Sequence, residues 1–302
     1  MAIESQSREY EELLERVQRA VGSDWNLRTF KGIFFEIMRI IQDPTTGAKD
    51  LARVISMDPG LTARTLRVIN SPYYSLTTKV SDLAQAIALL GFEMLKQIAL
   101  SISVFEVFPA GSKVYLTRLW RNGLGVAKVA ETVAKAKGKL AAEAYTVGLL
   151  HHIGKILLCS LKEAKYSETL NFARVHSLPD IEAEKQVLGV DHCEIGYVVA
   201  KHWELPPLVV DVIHTHHETY VGTNLTTPQF VSQVIALSEE ICNHLGLGVV
   251  DAPPAKAPQI LQSIPSAHYE NLGFTKASFG ELLNGTSNAV KEIDELLGAL
   301  QV

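Results

Sequence analysis

The sequence predicts an all-α protein, on three observations. Apolar residues recur at intervals of three and four in one segment after another, which places a stripe on one face of a helix. No segment of useful length alternates polar with apolar at period two, the mark of a half-buried strand. Proline, glycine and asparagine fall between the periodic segments, where helices stop.

The elements follow in order. Tyr10, Leu13, Leu14, Val17 and Val21 form the first stripe, in a charged background. Phe30, Ile33, Phe34, Ile37 and Ile41 form the second, closed by Pro44 and Gly47. A shorter helix turns Leu51, Val54 and Ile55 inward and ends near Asp58-Pro59-Gly60. Leu61 to Ile69 is the next, closed by Asn70-Ser71-Pro72. Leu83, Ala86, Ile87 and Leu90 make a stripe that Gly91 terminates. Phe92, Leu95, Ile98, Ile102 and Phe105 repeat the pattern up to Pro109, and Pro109-Ala110-Gly111-Ser112 is the best internal boundary.

Beyond it, Leu116 to Ala136 reads as a long helix carrying Trp120, and Ala141 to Leu161 as one strongly apolar helix. Ile181 to Gly189, Glu194 to Trp203 and Pro207 to His217 are shorter helices. The last has proline early in its first turn, where the missing N–H costs nothing. Phe230 to Leu245 follows, then a linker over 251–258. A terminal amphipathic helix spans about Lys276 to Leu300. The stripe of Phe274, Phe279, Leu282, Leu283, Val290, Ile293 and Leu297 must be covered, so this segment folds back on the core.

Composition narrows the class. The chain of 302 residues is 47% hydrophobic and 20% charged, which excludes bulk disorder. A net charge of −5 argues against direct nucleic-acid binding through a basic surface. Charges interrupt the long apolar stretches before the ~18–20 residues a spanning helix needs, so no membrane insertion is expected. The opening MAIESQSREYEELLERV is acidic where a signal peptide is basic and then apolar. Cys159, Cys193 and Cys242 are odd in number and widely spaced, so no disulfide framework is expected. These features predict a soluble, cytoplasmic protein.

The histidines are unevenly placed. None of the ten precedes residue 151, and eight fall between His151 and His217, with two adjacent pairs. Two readings stand at this point: core and surface imidazoles, or a metal or active-site group.

From Met57 the chain runs MDPGLTARTLRVINSPYYS, then VSDLAQAIALLGFEMLKQIAL. This resembles the N-terminal part of the bacterial HDOD family. There a D-P-x-L-x-x-x-L-L-x-x-x-N-S-x-x-F/Y phrase precedes a helix ending in A-I-x-x-L-G. Asp58, Pro59, Leu61, Asn70, Ser71 and Leu89-Leu90-Gly91 carry the likeness here. The second half resembles the HD phosphohydrolase superfamily, through GLLHHIGKILL at 148–158, VDHCEIGYVVAKHWELP, and VIHTHHE at 212–218. The resemblance implies an N-terminal helical lobe (1–110) packed on a degenerate HD-type helical domain (111–250), with a C-terminal extension (251–302).

It also implies a metal site, altered in two places. Active relatives place a ligating histidine in W-x-H-S; here the phrase is Trp120-Arg121-Asn122-Gly123. Their His-Asp doublet is His151–His152 here, so the bridging carboxylate is replaced by an imidazole. His151, His152, His192, His216, His217 and Glu239 remain as implied ligands, with Glu239 in a register open by one residue. Lys155 stands where active relatives place a phosphate-facing lysine. The G-x-G-Y-P phrase of the cyclic-dinucleotide hydrolases does not follow Glu218.

This set implies at most one divalent transition metal (iron, nickel or zinc) and no organic cofactor. The leading expectation is a signalling or regulatory module, non-catalytic or weakly catalytic. It would bind a protein partner in a signalling pathway or a phosphorylated small molecule. The alternative is a mononuclear metal-dependent phosphohydrolase with Lys155 on the phosphate. A third reading is an interaction scaffold with inert histidines. The bland readings stay open: buried imidazoles bonded to carbonyls, a solvated Lys155, and Asn70-Ser71 as a plain helix C-terminal turn. His202 and His214 are expected on solvated helix faces, Arg64 and Arg67 at the surface, and Trp120, Trp203 and Phe105 in the core.

Overall fold

A computed structural model describes residues 2–22, 32–107, 114–250, 252–286 and 289–300, and among these every regular element is helical. The chain begins with α1 (Ala2–Val21), α2 (Gly32–Gln42), α3 (Ala48–Ser56) and α4 (Pro59–Ile69). A 3₁₀ turn (Pro72–Tyr74) leads to α5 (Leu83–Val107). Leu13, Val17 and Val21, then Phe34 and Ile37, then Leu51, Val54 and Ile55 are buried, as their spacing predicts. Phe30 and the expected boundary at 109–112 lie outside the described residues.

Local chemistry sets these ends. The Asp58 side chain accepts from the Gly60 and Leu61 N–H groups at 2.8 and 3.0 Å, capping α4 with Pro59 in its first turn. Asn70 closes the same helix. Its Nδ2 donates to the carbonyls of Leu66 and Val80 at 2.7 and 2.8 Å, and its Oδ1 accepts from the Val80 N–H at 2.8 Å. Within α5, Gly91 sits at φ 81°, a left-handed conformation that glycine alone adopts without a Cβ penalty. The two stripes of α5 therefore meet at a kink.

The second half comprises α6 (Val114–Ala136), α7 (Ala141–Leu150), α8 (Ile153–Leu161), α9 (Glu163–His176), α10 (Asp180–Leu188), α11 (His192–His202), α12 (Pro207–Thr215) and α13 (Thr227–His244). Then come α14 (Ala257–Ser263), α15 (Ser266–Glu270), α16 (Lys276–Gly285) and α17 (Ala289–Leu300). α1 packs on α8 and α11, while α2, α3 and α4 pack on α5. α17 lies against α6 and α4, and its Ile293 and Leu297 are buried.

Three expectations are corrected. The single helix over 141–161 is two helices, broken at His151–His152. Burial on every side left no periodic stripe whose phase would betray the break. The terminal helix over 276–300 is also two, with α16 ending at Gly285. There the Thr286 hydroxyl donates to the Leu283 carbonyl at 2.8 Å. Leu83–Glu106 and Ala141–Leu161 are long and apolar enough to cross a membrane, against the expectation that no stretch would be. Each is broken in its course, and 89% of the second is buried inside the protein, as in a core helix.

Close approach between helices rests on two glycines. A Cβ at Gly148 would lie 2.7 Å from Ala127 Cα, which brings α7 onto α6. A Cβ at Gly154 would lie 2.1 Å from the His192 carbonyl oxygen, which brings α8 onto the start of α11.

Candidate metal centre

Five helix ends or faces deliver the implied ligands to one place. His151 closes α7 and His152 opens α8. His192 is the first residue of α11, behind the capping carboxylate of Asp191, which accepts from the Glu194 N–H at 2.8 Å. His216 and His217 follow α12, and Glu239 projects from α13. The imidazoles of His151, His152, His192 and His216 are buried, and His217 is the exposed member.

Four ring orientations are fixed from behind. His151 Nδ1 lies 2.7 Å from the Gly148 carbonyl oxygen, and His216 Nδ1 lies 2.9 Å from that of Ile213. His152 Nδ1 lies 3.0 Å from Asn122 Oδ1, and His192 Nδ1 lies 2.6 Å from Glu184 Oε2. Asn122 is itself oriented, because its Nδ2 donates to the Leu247 carbonyl at 3.2 Å. Carbonyl and carboxylate oxygens accept, so each Nδ1 carries the proton and each Nε2 keeps a bare lone pair.

The ring nitrogens of His192 and His216 converge, with His217 beside them. His192 Nε2 lies 3.3 Å from His216 Nε2 and 3.1 Å from His217 Nε2. His152 Nε2 lies 3.2 Å from Glu239 Oε1, a second acceptor. The Nε2 of His151 is buried with no hydrogen-bond partner. The His192 and His216 lone pairs face each other, an arrangement that a cation or a proton between them relieves. Nitrogens bound tetrahedrally at ~2.0–2.1 Å from one metal stand about 3.3 Å apart. The observed spacing therefore fits a metal.

Two overlapping groups have ligand atoms within 4.8 Å of one another: His152, His192, His216 and His217, and His151, His152 and Glu239. Burial pushes His151 down to about 4 and holds His152, His192 and His216 well below the usual imidazole range. The rings are thus neutral and free to ligate at neutral pH. Burial also pushes the Glu184 carboxyl up to about 8, even though it accepts from both the backbone N–H and the ring of His192.

All six implied ligands meet here. Glu239, not Glu240, faces the imidazoles; Glu240 Oε2 instead lies 2.7 Å from His268 Nδ1. Lys155 is buried rather than solvated, and donates to Asp180 Oδ2 at 2.9 Å. Burial opposes its charge, but Asp180, Glu184 and Glu239 outweigh burial and hold its pKa above the usual ammonium value. A cavity of about 510 Å³ is lined by Asn122, Lys155, Asp180, His217, Glu239 and Glu240, among others.

Elsewhere, His202 and His214 are exposed as expected, and Phe105 stacks on buried Trp120 with centroids 4.4 Å apart. Trp203 is buried as well. Arg64 is not a plain surface charge: it is half-buried and paired with Glu106. Sequence reasoning missed Glu184, Asp180 and the contact of Cys193 Sγ with His216 Nδ1 at 3.7 Å. Each partner lies on a different element from the residue it serves, so no local spacing announces it.

Comparison with known proteins places this geometry. The HDOD domain family model matches residues 27–219, which takes in every site residue but Glu239. An uncharacterized protein of Treponema pallidum is 27% identical over 184 residues, 60% of this chain and 36% of that protein. The chain thus spans about a third of that relative. A protein of Shewanella amazonensis described as a phosphohydrolase has a similar structure, with TM-score 0.71, 22% identity, and coverage of 94% of this chain and 97% of that one. So does a Marinobacter aquaeolei protein described as a signal transduction protein, with TM-score 0.77, 17% identity, and coverage of 96% of this chain and 65% of that one. At these identities the likeness to the two structures is one of fold. The family match and the motifs of both halves agree, and the chain belongs to the HDOD domain family.

Proposed function

We propose that this HDOD chain is a regulatory module that holds one divalent transition metal and has little or no hydrolytic turnover. It would bind a protein partner or a phosphorylated small molecule, in the cytoplasm. Three free, buried cysteines suit that reducing setting. The observation that carries the reading is His152. It stands at the position of the bridging carboxylate, with Nδ1 committed to Asn122. It has one lone pair left, and both ligand groups need that lone pair. Two cations would compete for it, so one is held.

His152, His192, His216 and His217 would hold the metal, an imidazole set that suits iron, nickel or zinc. When bound, such a metal supplies a Lewis acid able to polarise a phosphate oxygen or a water. Glu184 and Asn122 orient two of the rings from behind, which raises ligand basicity and fixes geometry. Lys155 is already neutralised by Asp180, which lowers its pull on a phosphate.

The second reading is a mononuclear phosphohydrolase. It is favoured by one observation, that Lys155 and His217 line the same cavity. Elemental analysis of protein purified without chelator should return one equivalent of metal, lost in the His216→Ala/His217→Ala variant. A screen of phosphodiesters and nucleotides should show no turnover at enzyme-like rates. Metal-free protein overturns the metal-bound reading, and rapid turnover establishes the second reading instead.

A further inference from the structure

α1 precedes the residues that the HDOD family model matches, yet it lies against the two helices that open the metal centre. It packs on α8, which His152 caps, and on α11, which begins with His192. Leu13, Val17 and Val21 bury its inner face. Tyr10 meets Tyr197 of α11 edge-on, with centroids 6.3 Å apart, and Lys201 Nζ lies 5.0 and 4.8 Å from the two ring centroids, a cation over aromatic faces.

The polar contacts of α1 fall on the turn that leads into α11. Arg16 Nη2 donates to Glu194 Oε1 at 2.9 Å, and Nη1 donates to the Gly189 carbonyl at 3.4 Å. The other oxygen of Glu194 accepts from the Asp191 N–H at 3.0 Å and closes the capping box of α11. Gly189, at φ 76°, ends α10. One guanidinium therefore joins the end of the helix that carries Glu184 to the start of the helix that carries His192.

Those two residues depend on that turn. Glu184 Oε2 accepts from the backbone N–H of His192 at 2.7 Å and faces its Nδ1 at 2.6 Å. A shift in the path of 189–191 moves His192 against Glu184, and the carboxylate behind a ligating ring sets its orientation and basicity. Arg16 is 43% exposed and Glu194 16%, so solvent screens the pair and its own contribution to stability is small. Its effect lies in where it holds the turn, since a guanidinium fork fixes two acceptors in one geometry.

We propose that α1 is a strap whose docking sets the metal affinity of the centre, with Arg16 as a positioning residue that acts on His192 through the α10–α11 turn. The inference rests on the metal-bound reading of the centre. Such coupling is reciprocal: if docked α1 favours metal, bound metal favours docked α1.

Hydrogen exchange of the full chain, chelator-treated and then with one equivalent of zinc, tests the second half of that statement. Zinc should slow the amides of α1 several-fold more than those of α2 and α3, whereas general stabilisation slows all three alike. His216→Ala/His217→Ala should abolish the difference. Competition with a chromophoric chelator tests the first half. Arg16→Gln should weaken zinc by about two- to fivefold and leave the melting temperature of the zinc-free protein unchanged. Arg16→Lys, which keeps a cation opposite Glu194, should recover most of the affinity. Bound zinc with α1 slowed no more than α2 and α3 overturns the proposal, and so does parental zinc affinity in Arg16→Gln. Failure of the parent chain to bind zinc at all overturns the metal-bound reading itself, and the strap with it.

Discussion

At the scale of single residues, the centre is organised by what stands behind each ring. Four different acceptors, two of them backbone carbonyls, take the Nδ1 protons and aim the Nε2 lone pairs inward. Asn122 is the telling case. The resemblance implies a ligating histidine at its position, whereas here the amide orients His152. An imidazole bridges poorly, since its second nitrogen carries a proton. Restoring both lost ligands, Asn122→His with His152→Asp, should raise the metal content from one equivalent to two, read by elemental analysis. If the count stays at one or zero, ligand loss is the wrong explanation for a single metal.

At the scale of elements, the centre depends on how closely α8 approaches α11. Gly154 allows that contact, and nothing larger fits: the added carbon would meet the His192 oxygen at 2.1 Å and the Gly196 nitrogen at 2.8 Å. Both obstacles are backbone, so a helix must move. Gly154→Ala should cost about 1–3 kcal/mol and should also lower metal affinity, because His192 opens the displaced helix. Urea midpoints and metal equivalents measure the two effects. A variant as stable as the parent, with full metal, would show that the helices slide without disturbing the site. The same scale explains the broken 141–161 segment. The doublet occupies the turn between α7 and α8, where His151 bonds back to Gly148 across one turn, and a turn can aim two adjacent side chains into one cavity.

At the scale of the whole molecule, burying neutral imidazoles ties stability to pH. His151 titrates near 4 in the fold against about 6.5 in an unfolded chain. Between those values the unfolded state binds more protons than the native one, so stability rises with pH and falls on acidification. The contribution is fully present above pH ~6.5 and declines until about pH 4. At pH 5 the loss from His151 alone is about 2 kcal/mol. The downward shifts of His152, His192 and His216, also caused by burial, act in the same direction. Chelator-treated protein should therefore unfold at lower denaturant at pH 5 than at pH 7.5. Equal midpoints would mean that the rings are not buried neutral.

The sequence by itself determined that this is an all-helical HDOD chain. Helical stripes are local patterns of spacing, and the D-P-x-L, N-S and H-H phrases are local too. It also determined which residue types gather at the centre, because the histidines are unevenly distributed along the chain. The tertiary structure decided the rest. It chose Glu239 over Glu240, since one residue on a helix turns the side chain by a large angle and only one of the two faces His152. It broke the apolar 141–161 helix, which is buried so evenly that no face of the pattern marks the turn. It paired Lys155 with Asp180 and His192 with Glu184, across elements that share no spacing in the sequence. Such partners are set by how helices pack, and packing depends on the shapes of all the surfaces that meet, which no short stretch of sequence contains.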